Sequence, residues 1–381
     1  MKRGVGARER PALRARLHFI SGSVARVLKL GLRLELYRSA TLQVPFDTVR
    51  LAEDLGFHSV WTAEAYGSDA LSPLAAIAPT TTRIKLGTAV VQLAARPPAT
   101  LGMQAMTIDA LAGGGRMIIG IGVSGPQIVE GWYGQPWGKP TARLRDYITI
   151  LRKVIAREGP VTHDGPEISL PYRGEGALGQ GKALKSILHS PSDIPIWMAS
   201  VGPRNTALCA ELCDGWLPMG LPPEGTDDPD VAPMLADGFA RRADADTRPV
   251  ADFEVFNGLN VVITDDVHGW LDRQRPFRAT YVGGMGSASH NYHVQAMAKR
   301  GFADEAARIQ ELFLAGKREE AIAAMPDEAM LQGTLIGSPA RIREQWEAGG
   351  VVPPGVTGVM VGADDDAALE LIADLVGTRD A

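Results

Sequence analysis

The sequence has only two cysteines among its 381 residues, Cys209 and Cys213. Two thiols cannot form the disulfide framework of a small secreted protein, so we expect a cytoplasmic protein. They are also too few for a zinc site, which needs three or four ligands. Their spacing of four in a helix-like stretch predicts buried structural thiols, and we expect no metal.

Long apolar runs and an excess of basic charge are also lacking. No run reaches the roughly 18 residues that a membrane span requires. The net charge of -5 offers no basic field to a nucleic acid. The HExxH, Walker and GxSxG patterns do not occur, which argues against a zincin, a P-loop enzyme and an α/β-hydrolase. The remaining partners are small molecules.

The first 28 residues differ from the rest because they are rich in arginine and contain one acid, Glu9. Their short apolar stretch is interrupted by serine, glycine and arginine, unlike the clean core of a secretory signal. We predict an extension without fixed structure at residues 1–28, followed by one domain at residues 29–381.

From residue 29 onward, strand-like and helix-like segments alternate. The predicted strands are 30–37, 58–63, 84–91, 116–121, 194–200, 215–219, 253–263 and 356–361. Such alternation implies parallel strands with right-handed crossovers, and eight strands favour a closed (β/α)8 TIM barrel. Insertions are expected near 159–187, with a small hairpin, and at 281–332, as a helical lid or a contact in a homodimer.

A glycine-rich segment, Gly120-Ile121-Gly122-Val123-Ser124-Gly125, follows the fourth strand and matches GxGxxG. Glycine lets the backbone come close to a ligand, and exposed N–H groups can bind a phosphate. A Rossmann fold would place this motif after its first strand and an acid about 20 residues later. We therefore favour a phosphate site at the top of a barrel, with a Rossmann turn and a purely structural turn as alternatives.

Other candidates stand where predicted strands end, which is where TIM barrels carry their active sites. Glu64 and Tyr66 follow the second strand, and each is also compatible with a solvated loop. Two further groups follow the third and fifth strands and are equally compatible with ordinary loop geometry: Thr88, Ala89 and Val90, and then Ala199, Ser200, Val201 and Gly202.

Several segments together resemble the luciferase-like monooxygenase superfamily. They are Gly56-Phe57, Val60-Trp61, 83–90 (RIKLGTAV), 116–122 (RMIIGIG), 194–203 (IPIWMASVGP), Asp214-Gly215-Trp216 and 336–339 (IGSP). Their common order over residues 29–375 is more specific than any one motif. The most similar branch is the deazaflavin-dependent one, which includes methylenetetrahydromethanopterin reductase.

This resemblance implies a TIM barrel that holds a flavin or deazaflavin at the carboxyl ends of its strands. It further implies a cis peptide at Ala89–Val90 behind the ring and a ring contact from Glu64. The segments 122–125 and 199–202 correspond to cofactor-binding loops. The implied function is an oxidoreductase that uses coenzyme F-420 for hydride transfer. An FMN-dependent monooxygenase and a non-catalytic cofactor-binding barrel are the alternatives.

One position departs from the family pattern. Several deazaflavin enzymes carry a histidine directly after the ring-contacting acid, whereas this chain has Ala65. A proton donor at that position is therefore missing, and Glu64 and Tyr66 become the candidates for catalysis. We expect that a partly apolar pocket would raise the pKa of Glu64.

Overall fold

In the computed structural model, residues 28–190, 193–285 and 291–380 are described, so the predicted extension before residue 28 lies outside them. Within these residues, eight parallel strands form a closed ring in chain order. They are β1 Lys29–Leu34, β2 Ser59–Thr62, β3 Lys85–Thr88, β4 Met117–Gly122, β5 Ile196–Ala199, β6 Gly215–Leu217, β7 Glu254–Ile263 and β8 Gly358–Ala363. β7 pairs with both β6 and β8, which confirms the predicted TIM barrel.

Helices alternate with these strands and cover the outside of the barrel. In chain order they are α1 Phe46–Asp54, α2 Leu71–Ile77, α3 Pro98–Leu111, α4 Pro126–Gly131, α5 Pro140–Ala156, α6 Pro203–Leu212, α7 Val231–Ala240, α8 Val267–Gly284, α9 Tyr292–Lys299, α10 Ala303–Leu314, α11 Arg318–Ala323, α12 Asp327–Leu331, α13 Pro339–Glu347 and α14 Asp366–Val376. Among the described helices, none is long and apolar enough to cross a membrane. Cys209 and Cys213 are both buried, as predicted.

Three large aromatic side chains fill the barrel interior. Trp61, Trp197 and Phe256 are nearly inaccessible, with ring centroids 4.9 Å apart for Trp197 and Phe256 and 5.1 Å apart for the two tryptophans. Gly215 and Gly358 lie against these rings, where a Cβ atom would overlap them. The aromatic layer therefore fills the middle of the barrel, and TIM barrels bind their ligands at the carboxyl ends of the strands.

The predicted insertion near 159–187 contains the expected hairpin. Its strands, His163–Asp164 and Ser169–Leu170, pair antiparallel. The buried Asp146 of α5 holds the hairpin in place, because its carboxylate accepts the backbone N–H groups of Glu167 and Ile168 and lies 3.0 Å from His163 Nε2.

The second insertion is a helical cap of residues 267–331, formed by α8 to α12. It begins at Val267, earlier than the predicted residue 281, because the helix after β7 leaves the barrel pattern and joins the cap. The cap has a hydrophobic core of its own, which includes Trp270, Ile309 and Met330. An additional strand, Thr334–Gly337, then pairs with the end of β7.

Candidate functional site

The mouth of the barrel has an apolar floor. Ala89, Val90 and Ala199 are partly buried and pack on the aromatic layer, and Met360 belongs to the same cluster. The floor lies at the carboxyl ends of β3, β5 and β8, where TIM barrels bind their ligands. Such apolar side chains suit the face of a planar ring system.

The third predicted strand, 84–91, is divided in the structure. β3 ends at Thr88, the Ala89–Val90 peptide is cis, and Val91–Gln92 then pairs with the end of β4. The Thr88 hydroxyl donates to the Gly120 carbonyl and accepts from the Gly120 N–H, both at 2.8 Å. The cis peptide expected at Ala89–Val90 is therefore present, and it forms part of the floor.

The turn in the glycine-rich segment begins later than the sequence predicts. Gly120 and Gly122 belong to β4. Both positions lack room for a side chain, since a Cβ atom at Gly120 would overlap the Thr88 carbonyl and one at Gly122 would lie 2.7 Å from Val90. The turn itself consists of Val123, Ser124 and Gly125, with Ser124 at a φ of 62°. The N–H groups of these three residues donate to no acceptor in the described part of the chain.

A second loop joins β5 to α6 beside this turn. Ser200 faces inward, since its hydroxyl lies 3.1 Å from the Thr206 hydroxyl and its carbonyl accepts from the Trp216 indole. The N–H groups of Val201 and Gly202 have no acceptor among the described residues, and a Cβ at Gly202 would meet open space. The two loops follow neighbouring strands, β4 and β5, and each has N–H groups without an acceptor among the described residues, a combination suited to a phosphate.

Glu64 is buried and fully engaged by partners within the protein. Its carboxylate receives two hydrogen bonds from Arg96, at 2.9 and 3.1 Å. It also accepts the N–H groups of Gln92, at 2.9 Å, and Ala70, at 3.2 Å. All four donors are N–H groups of the protein, so both carboxylate oxygens are used within it. The surroundings of Glu64 are thus polar and charged, unlike the partly apolar pocket expected from the sequence.

Tyr66 is more than half exposed, and its hydroxyl lies 3.9 Å from the Met285 sulfur in the cap. Other contacts fasten the cap to the barrel loops. Gln127, in α4, donates to the Met285 carbonyl at 2.6 Å, and Lys299 donates to the Val201 carbonyl at 2.8 Å. Tyr66 therefore lies at the rim between barrel and cap, whereas Glu64 is buried in the barrel.

Sequence reasoning missed a group of arginines at the mouth. Arg33 in β1, Arg278 in α8 and Arg300 after α9 line one cavity of about 320 Å³. Arg33 was detectable in principle, as a charged residue between two leucines in the strand KLGLRL, whose only other charged residue is Lys29 at its start. Nothing in the sequence connects it with Arg278 or Arg300, because the cap alone brings these distant segments together.

Comparisons with known proteins agree with this architecture. The luciferase-like monooxygenase family profile matches residues 32–358. A Mycobacterium tuberculosis protein, whose name places it among coenzyme F-420-dependent oxidoreductases, is 45% identical over 338 residues, which are 87% of this chain and 95% of that protein. The tetrahydromethanopterin reductase of Methanopyrus kandleri, named as dependent on coenzyme F-420, superposes with a TM-score of 0.70 at 21% identity, covering 91% of this chain and 97% of that one. An F-420-dependent secondary alcohol dehydrogenase, solved with an F-420–acetone adduct, gives a TM-score of 0.69 at 13% identity and covers 92% and 99%.

Proposed function

The chain belongs to the luciferase-like monooxygenase family, and we propose that it is an oxidoreductase that uses coenzyme F-420. In this role it moves a hydride between the cofactor and a small organic substrate. The 45% identical relative, which carries a coenzyme F-420-dependent name, supports the choice of cofactor.

One observation carries the proposal: an apolar floor borders two loops with free N–H groups. Ala89, Val90 and Ala199 offer a flat surface to a ring. At the edge of that surface, the turn 123–125 and the residues Val201 and Gly202 offer donors to a phosphate. The open space at Gly202 supports this fit, since a Cβ there would meet no protein atom within 4 Å.

When bound, the deazaflavin ring supplies a carbon that accepts or donates a hydride. The residues of this chain position the ring and exclude water. Val90 and Ala199, which pack on the aromatic layer, would hold the ring, and substrate would be bound between it and the cap. The cap encloses the mouth through contacts such as that of Lys299 with Val201.

We assign Glu64 a positioning role. Its backbone N–H donates to the Val90 carbonyl at 3.4 Å, and its carboxylate accepts the Gln92 N–H. It therefore holds the segment that follows the cis peptide. Tyr66 is the remaining candidate for a proton donor, because its hydroxyl lies at the rim and is exposed.

The direct experiment is to titrate the purified protein with F-420 and, separately, with FMN, and to follow fluorescence. We expect F-420 to bind in the micromolar range or tighter and FMN to bind more weakly. Tight FMN binding without F-420 binding would instead favour the FMN-dependent monooxygenase. Tight F-420 binding without hydride transfer across a broad substrate panel would favour a non-catalytic carrier.

We also propose a homodimer, with a cytoplasmic location. Support for the dimer comes from the insertion after the hairpin, where Leu178, Leu184 and Ile187 are 87%, 75% and 94% exposed. Such apolar exposure is typical of an interaction surface. Analytical ultracentrifugation of the wild type and of a Leu184→Asp, Ile187→Asp variant tests this, and an unchanged dimer in the variant would place the interface elsewhere.

A further inference from the structure

The arginine cavity lies at the barrel mouth between β1, β7, β8 and the cap. Arg33, Arg278 and Arg300 line it, and the described residues around it include no aspartate or glutamate. An adjoining cavity of about 300 Å³ shares Arg33 and Arg278 with it. Glu35, which lines that second cavity, lies 3.7 Å from Arg33 Nε. Asp364 also lines the second cavity, so the carboxylates lie on that side. In the first cavity, three guanidinium groups line a space that has no carboxylate among its described lining residues.

Several polar atoms around this cavity lack hydrogen-bond partners in the described part of the chain. Arg33 Nε, Arg300 Nε and Asn257 Oδ1 are buried and make no hydrogen bond. Arg33 still keeps its ion-pair contact with Glu35, and its Nη2 donates to Asn260 Oδ1 at 2.6 Å. Buried polar groups in folded proteins normally have a hydrogen-bond partner, and leaving one without a partner is destabilising. Three such atoms at one cavity indicate that a ligand supplies the missing partners.

The arginines also repel one another. Burial, and then the charge of Arg33, lower the pKa of Arg278. Burial and the nearby Arg278 lower the pKa of Arg300 to about 10. An anion in the cavity would offset the repulsion between the guanidinium groups. It would also accept charge-assisted hydrogen bonds from them, which are stronger than hydrogen bonds between neutral groups.

This cavity lies opposite the cofactor loops. The loops follow β4 and β5, whereas Arg33 is in β1 and Met360, which also lines the cavity, is in β8. In a ring of eight strands in chain order, these two pairs face each other across the barrel. A cofactor whose phosphate were bound at β4 and β5 would leave the side of the mouth at β8 and β1, with its arginines, for a second molecule.

From these observations we propose that the substrate carries an oxyanion, a phosphate or a carboxylate, that binds to Arg33, Arg278 and Arg300. The inference rests on the proposed function, because it assigns the second molecule of that reaction. Guanidinium groups suit this task because their N–H donors match the paired oxygens of such anions. The free Asn257 Oδ1 requires a hydrogen-bond donor, such as a hydroxyl group, near the anion.

The test uses the full chain without cofactor and two probes, inorganic phosphate and malonate, at ionic strength held constant with sodium chloride. Thermal unfolding and calorimetric titration are measured for the wild type, Arg278→Gln and Arg300→Gln. The matched control is Arg273→Gln, on the same helix, where the side chain is 64% exposed and 3.9 Å from Asp266. We expect at least one probe to bind the wild type and the control equally, and each cavity variant about tenfold more weakly or worse.

Removing one of three mutually repelling charges should leave the unfolding temperature without anion unchanged or higher. A clear decrease in both variants would mean that the arginines hold the cap together, and would overturn the proposal. So would the absence of binding of either probe, or equal binding to all variants. The probe that binds with the higher affinity shows whether the site prefers a phosphate or a carboxylate.

A titration of the same variants with F-420 distinguishes substrate from cofactor. Unchanged F-420 affinity in Arg278→Gln, with anion binding lost, supports the substrate site. A loss of F-420 affinity by the same factor would assign the arginines to the cofactor's own anionic tail and would refute the proposal. If the wild type binds the anions but not F-420, the proposed function fails while the anion site remains.

Discussion

Replacing Glu64 with glutamine tests whether this residue positions the floor or transfers protons. The Glu64 and Arg96 side chains are 4% and 12% exposed, so solvent screens their ion pair little. Removing one partner of a buried pair typically costs about 3–5 kcal/mol. Glutamine keeps one oxygen that can accept from Gln92, so we expect the lower end, about 3 kcal/mol, in urea unfolding. Because the Val90 segment would loosen, F-420 affinity should also decrease.

A double-mutant cycle with Arg96→Met isolates the pair. Removing both charges should restore part of the stability, because no unpaired charge then stays buried. The control is Glu311→Gln, whose pairing with Arg308 at 3.0 Å is exposed on both sides, and it should cost within about 0.5 kcal/mol. A loss of unfolding free energy in Glu64→Gln no larger than in the control would refute the positioning role. Unchanged stability and affinity with lost hydride transfer would instead show a direct chemical role.

Three further predictions follow from the loops and from buried histidines. Gly202→Ala should leave the unfolding temperature unchanged, since its methyl group meets open space; unaltered F-420 affinity would remove Gly202 from the phosphate site. Gly122→Ala places its methyl group 2.7 Å from Val90, so we expect a loss of about 1–3 kcal/mol in urea unfolding and weaker F-420 binding; a stable variant with full affinity would contradict the packing. Burial lowers the pKa of His58 and of His293 to about 4, below the usual 6.5, so the unfolded chain binds more protons in this window. The stability that these neutral histidines contribute is therefore fully present above pH 6.5 and decreases on acidification toward pH 4. The loss at pH 5 is roughly 2 kcal/mol at most per histidine. Urea unfolding that shows greater stability at pH 5 than at pH 7 would refute this prediction.

The barrel could be predicted from the sequence because strand and helix periodicity is a local property. The predicted strands match β1 to β8, apart from their exact ends. The ends differ where side chains from other strands decide them: the contact of Gly120 with Thr88 keeps β4 extended, and the cis peptide at Ala89–Val90 ends β3. The expected cis peptide came from family resemblance, since no local pattern indicates it.

What the sequence by itself determined is the architecture and the end of the barrel at which the candidate site lies. Both follow from the order of elements, because parallel strands bring their carboxyl ends to one side. Only the tertiary structure decided the state of individual side chains. Glu64 forms an ion pair with Arg96, and the Ser200 hydroxyl lies 3.1 Å from the Thr206 hydroxyl. Arg33 lines one cavity with two arginines of the cap. In each case charge and hydrogen bonding depend on neighbours in space, and segments distant in sequence supply those neighbours.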